Sequence, residues 1–116
     1  MTFMKRLFAS KPVPAGLKEM IIKDTASHDV VIYSKGYCPY CSRTKELFQS
    51  EFSQVTPKIF ELDQMDDGSS IQDALAQITK QRTVPNVWIK GKFVGGNDDT
   101  MALFRSGKLK EMLSEN

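Results

Sequence analysis

The stretch Tyr33-Ser34-Lys35-Gly36-Tyr37-Cys38-Pro39-Tyr40-Cys41 constrains this 116-residue chain more than any other, because it holds the only two cysteines. The apolar run Val30-Val31-Ile32-Tyr33 before it reads as a buried strand, and a helical pattern runs from Ser42 to Phe52 after it. A strand passing into a helix through Cys-x-x-Cys puts Cys38 at the first turn of that helix and Cys41 one turn on. There the unpaired backbone N–H groups and the positive helix end favour a thiolate over a thiol. The thiolate is the form that attacks a disulfide, so position makes Cys38 a nucleophile. Pro39 fits the same picture, since a missing N–H costs nothing at the first helical position.

Two plainer uses of a cysteine pair fit less well. A zinc site takes about four ligands, and the chain offers two Cys and one His, His28, placed before the strand. No metal site is therefore expected. A structural disulfide would close a very short loop and gain little chain entropy. A reversible redox pair remains.

By length the chain is one domain with a single modest core. No apolar run approaches a membrane span. Two cysteines placed together argue for a reducing compartment rather than a secreted disulfide scaffold. Residues 1–18 carry Lys5, Arg6, Lys11 and Lys18 and no acid, while the rest holds 12 basic and 14 acidic groups. The overall charge of +2 thus comes from the N-terminus. Nucleic-acid binding would need basic groups along a folded face, so no nucleic-acid or membrane partner is expected. Residues 1–14 read as an N-terminal extension and residues 15–116 as the domain. The basic start resembles a mitochondrial presequence, but serine and arginine are sparse, which favours a plain tail. The expected location is cytoplasmic, with the mitochondrion as the alternative.

Leu17, Met20 and Ile21 follow helical spacing over 15–26. Lys58-Ile59-Phe60-Glu61-Leu62 reads as a second strand, and 63–68 as an acidic loop. Ser70-Ile71-Gln72-Asp73 resembles a capping box opening a helix that runs to Ile78 or Thr79. Asn86 to Lys90 reads as a third strand, Gly91-Lys92 as a tight turn, and Phe93-Val94 as the start of a fourth. Gly95-Gly96 breaks that strand. Asp98-Asp99 opens a further helix, and Gly107 separates it from a last short one ending near Leu113. The order is α-β-α-β-α-β-β-α-α. Trp88 and Phe93 fall in strands and read as core.

Cys-x-x-Cys beside a βαβ pattern is a thioredoxin-like signature. Taken together, Cys38-Pro39-Tyr40-Cys41, Thr83-Val84-Pro85 and Gly95-Gly96-Asn97-Asp98-Asp99 resemble a dithiol glutaredoxin from about residue 15 to the C-terminus. Thioredoxin itself is less similar, since that family carries Trp before the motif and Gly-Pro between the cysteines. The resemblance implies a thioredoxin fold, an α/β architecture with a four-stranded mixed sheet flanked by helices. It implies a glutathione-dependent oxidoreductase in which Cys38 attacks and Cys41 resolves. Pro85 would be a cis-proline that sets the Val84 backbone edge, after Thr83, opposite Cys38, where it pairs with the cysteine residue of glutathione. Lys35, Gln72 and Arg82 would hold the glycine carboxylate. Gly96, Asn97 and Asp98 would grip the γ-glutamyl end with Asp99 assisting, and Tyr40 would line the cleft. Glutathione would be the co-substrate, with no tightly bound cofactor. Glutathionylated and disulfide-containing proteins would be the partners, with glutathione reductase engaged indirectly and the chain acting as a monomer.

Elementary chemistry agrees with these roles. An arginine fork suits a carboxylate, and a cation at Lys35 favours the Cys38 thiolate. A helix opening after Gly96 offers N–H groups to a second carboxylate. Each residue also has a plainer use: Lys35, Gln72 and Arg82 as solvated surface groups, and Asp98 or Asp99 as the cap of its helix. Lys80 stands where many family members have Gly at a helix end, so it must accept a left-handed backbone or the helix must end differently. Two rival functions follow from the wider family. One is an iron–sulfur cluster carrier, which Pro39 and Cys41 argue against. The other is a flavoprotein-fed disulfide reductase, which the glutathione-type residues argue against. A redox potential of about −200 to −230 mV is the glutaredoxin expectation.

Overall fold

Alternation of apolar residues along β1 (Val30–Ser34) places Val31 and Tyr33 on one face of the sheet and Val30 and Ile32 on the other. All five residues of this strand are buried, which makes it the centre of the fold. The computed structural model describes residues 12–115. The reading of residues 1–11 as a tail lies outside them. Val13, on the extension side of the expected boundary, packs against the first core cluster.

Among the described residues nine longer elements follow in the expected order. Helix α1 (Leu17–Ala26) precedes β1, and α2 (Pro39–Glu51) joins it to β2 (Lys58–Glu61). A 3-10 turn at Leu62–Gln64 leads to α3 (Gly68–Thr79). The hairpin β3 (Asn86–Ile89) and β4 (Lys92–Gly95) is followed by α4 (Asn97–Ser106) and α5 (Lys108–Ser114). The sheet runs β2-β1-β3-β4, with β1 parallel to β2 and antiparallel to β3. This is the four-stranded mixed sheet of a thioredoxin fold.

Two apolar layers cover the sheet. On one face α1 and α3 pack Leu17, Ile21, Ile71, Ala74 and Leu75 against Val31, Tyr33 and Trp88. On the other, α2 and α5 bring Leu47, Phe48 and Leu109 onto Val30, Ile32, Val87 and Ile89. Trp88 is core as expected, its indole N–H donating to Asn86 Oδ1 at 2.7 Å. Tyr33 stacks on Phe60 at 5.1 Å, and its buried hydroxyl has no partner. Burial chiefly, with Asp24 in support, keeps that phenol protonated.

Several local expectations shift. Helix α3 begins at Gly68, so Ser70 and Asp73 lie within it and form no capping box. The early start depends on close packing: a Cβ on Gly68 would sit 1.8 Å from the Leu62 carbonyl oxygen. The hairpin turn is Lys90-Gly91 rather than Gly91-Lys92. Both residues have positive φ, and Ile89 pairs with Lys92, as a two-residue turn of this twist requires. Gly95 closes β4 rather than breaking it.

Lys80 ends α3 in the left-handed region at φ 66°. Its N–H donates to the Ala76 carbonyl at 2.9 Å, so the helix closes without glycine and lysine bears the strain. Lys80→Gly is expected to stabilise the fold by about 1 kcal/mol, the usual cost of a left-handed L-residue. Urea unfolding of the two proteins checks this; an unchanged midpoint would remove the strain argument.

Candidate active site

Helix α2 opens with Pro39 at its first position, as expected, and Cys38 is its cap residue, in an extended backbone conformation. The Cys41 N–H donates to Cys38 Sγ at 3.2 Å. Sulfur therefore occupies the place an oxygen usually takes at a helix cap, directed at an otherwise unpaired N–H. The Ser42 N–H donates to the Cys38 carbonyl at 3.1 Å and begins the helical ladder. Cys38 is half-buried, Cys41 fully buried, and both are reduced.

The Val84–Pro85 peptide faces this helix end and is cis. The Cys38 thiol lies 3.8 Å from the Val84 carbonyl oxygen. Between them and the start of α4 runs an open cleft of about 400 Å³. Tyr40, Thr83, Val84, Pro85, Gly96, Asn97, Asp98 and Asp99 line it, which brings together eight of the residues singled out from the sequence. Gln81 lines it as well and was not singled out. Its amide donates to the carbonyls of Thr83 and Pro85, both at 3.0 Å, and so clamps the loop around the cis peptide. The only sequence signal was its place next to Arg82-Thr83-Val84-Pro85.

Cys38 and Cys41 stand beside the cleft rather than in its lining, and Lys35, Gln72 and Arg82 are not part of the lining either. Gln72 Nε2 donates to the Arg82 carbonyl at 2.8 Å, so Gln72 orders the loop backbone. The Arg82 guanidinium pairs with Asp73 at 3.1 Å and keeps an exposed face. Lys35 is half-buried just before Gly36, and its carbonyl accepts the Cys38 N–H at 3.1 Å.

At the far end of the cleft, α4 opens at Asn97 with Gly96 as its cap residue, so neither aspartate is the cap. Asp99 reaches back to the Gly96 N–H at 3.4 Å. It passes so close to Gly95, at φ 123°, that a Cβ there would meet its carboxylate at 2.2 Å. Asp98 and Asp99 are exposed at the positive end of the helix. Tyr40 stands on the rim, 54% exposed, with the Arg43 guanidinium 5.0 Å over its ring. Among the described residues no cluster of three or more His, Cys, Asp or Glu is arranged to hold a metal ion. Nor is any described helix long and apolar enough to cross a membrane.

A family model described as Glutaredoxin matches residues 30–94, from β1 through the hairpin. The chain belongs to the glutaredoxin family. Glutaredoxin-C6 of Oryza sativa subsp. japonica is 56% identical over 90 residues, covering 78% of this chain and 79% of that protein. The crystal structure of wheat glutaredoxin superposes with a TM-score of 0.80 at 46% identity, over 86% of this chain and 92% of the wheat chain. A buckwheat glutaredoxin–glutathione complex superposes at 0.76 and 44% identity, over 87% and 94% of the two chains. The protein is thus a glutaredoxin oxidoreductase with a redox-active cysteine pair.

The two thiols of this glutaredoxin differ in environment. Burial pushes the Cys41 thiol up to about 11, with the hydrogen bond to Cys38 in support. At neutral pH Cys41 is a protonated thiol shielded from solvent. An unfolded cysteine ionises near about 8.5. Below that value both states hold the proton and the group adds no pH dependence. Between about 8.5 and about 11 the unfolded chain releases it while the folded chain keeps it, so stability falls as pH rises. Urea midpoints of the reduced protein should therefore drop between pH 8 and pH 10.5, and drop less in Cys41→Ala. Equal slopes would contradict the buried-thiol description.

Proposed function

We propose that this glutaredoxin reduces protein–glutathione mixed disulfides, and protein disulfides, with glutathione as co-substrate. The observation that carries this is the pairing of a sulfur-capped helix start with a second helix start across one cleft, the cis loop between them. Glutathione has two carboxylates, an ammonium and a thiol. The backbone edge at Val84 offers N–H and C=O groups to its cysteine residue. The head of α4 offers N–H groups to the γ-glutamyl carboxylate, with the exposed Asp98 for the ammonium. Arg82 has donors left beyond its Asp73 bond and supplies charge for the glycine carboxylate, with Lys35 adding to the field. Gln72 supports that end through the Arg82 backbone.

The chemistry follows from the thiol environments. The Cys38 thiolate attacks the glutathione sulfur of a mixed disulfide, and the protein thiolate leaves and takes up a proton. A second glutathione thiolate attacks the sulfur held on Cys38, releasing oxidised glutathione and regenerating Cys38. With a protein disulfide, Cys38 first forms a mixed disulfide with the protein. Cys41 then gives up its proton and attacks Cys38, forming the Cys38–Cys41 bond and freeing the reduced protein. Two glutathione molecules restore the dithiol.

Cys38→Ser should abolish both activities, whereas Cys41→Ser should keep deglutathionylation and lose reduction of protein disulfides. If Cys41→Ser were as inactive as Cys38→Ser on a small glutathione mixed disulfide, the division of roles fails. Coupling to glutathione reductase rather than thioredoxin reductase should sustain turnover.

The binding assignments have their own check. A charge-assisted bond contributes about 1.5–3 kcal/mol, so Arg82→Ala should raise the apparent KM for glutathione roughly tenfold or more. Asp98→Ala should act similarly from the other end of the cleft. Steady-state kinetics with glutathione varied would show it; if neither substitution alters the glutathione dependence, glutathione is held by other groups.

A further inference from the structure

We infer that Thr44 is a positioning residue of this glutaredoxin, its hydroxyl fixing the Asn97 amide and with it the head of α4 against the helix that carries Cys38. Thr44 lies on α2, three residues after Cys41, and is fully buried. It belongs to the same buried set as the core residues Leu47 and Phe48. A hydroxyl buried beside such residues is costly unless bonded. Its partner is Asn97 Oδ1, which accepts from Thr44 Oγ1 at 2.8 Å.

The choice of partner is informative. Helical threonines commonly donate to the carbonyl four residues back. Thr25, Thr79 and Thr100 do so here, to Ile21, Leu75 and Gly96. Thr44 instead donates across the interface between α2 and α4. Asn97, its acceptor, is the first residue of α4 and lines the cleft. With its carbonyl oxygen occupied from the protein side, the amide orientation is set, and Nδ2 is the group left for a ligand. The bond therefore ties the nucleophile's helix to the opposite end of the site through two buried side chains.

The inference rests on the reading of the α4 head as one end of the glutathione site, and the test separates the two. Thr44→Val removes the hydroxyl at nearly constant shape, and Thr44→Ser keeps it. Thr44→Val is expected to raise the apparent KM for glutathione roughly 3- to 10-fold, the range for a lost neutral hydrogen bond. The turnover number and the alkylation rate of Cys38 should stay within twofold. Thr44→Ser should restore the KM. In an Asn97→Ala background, Thr44→Val should add nothing further, because its effect passes through the missing amide. An unchanged KM in Thr44→Val while Asn97→Ala raises it would overturn the inference and leave the glutathione reading standing. So would a full extra loss on the Asn97→Ala background, or a fall in turnover that serine does not restore. If Asn97→Ala itself leaves the KM unchanged, the α4 head is not a glutathione contact and both statements fail together. Should Thr44→Val not accumulate folded, Thr44→Ala is measured with the same outcomes deciding.

Discussion

A sulfur atom at the start of a helix is the interaction from which this site is built. Helix α2 leaves its first N–H groups without intrahelical acceptors, and Cys38 Sγ is the side-chain acceptor aimed at one of them. Serine or aspartate would be the stronger cap. Using cysteine gives up some helix stability to place a reactive sulfur at the helix start. Pro39 helps offset that, since it presets the first helical backbone angle. The buried side of the same turn holds Cys41 as a protected thiol, so one turn of helix supplies both a half-buried nucleophile and a reserve.

The sheet order explains why this helix start meets the rest of the site. With β1 central, the chain leaves its C-terminal end into α2 and returns antiparallel through β3. Residues just before β3 therefore lie beside residues just after β1, and the cis loop faces Cys38. β4 then runs back to the same end and releases α4 there. Three chain segments far apart in sequence converge without any long connection. Gln81 and the Thr44–Asn97 bond hold two of them in place from within.

The sequence made most of this architecture legible, because each strand is a short apolar run bounded by a turn residue and each helix has its own apolar period. Boundaries moved where a contact distant in sequence decided them. Helix α3 starts at Gly68 because only glycine lets the chain pass against Leu62. The hairpin turn slid by one residue because pairing of Ile89 with Lys92 fixes the register. In the site, the cleft gathered residues from all three motifs, since each motif is contiguous and lies at an end of a helix or strand. Gln81 escaped notice because its work is done on backbone carbonyls, which no residue pattern advertises. Gln72 and Arg82 are the converse: the resemblance suggested ligand recognition, while within the chain Gln72 bonds the Arg82 carbonyl and Arg82 pairs with Asp73.

The outer strands carry a last consequence. β2 and β4 are each four residues long, and each begins with an exposed lysine, Lys58 and Lys92; Pro57 precedes the first. Short edges bearing lysine resist the pairing of backbone with backbone that underlies aggregation. Both edges of the sheet are thus guarded against pairing with a stray strand, leaving the helix start at Cys38 as the reactive end of the domain.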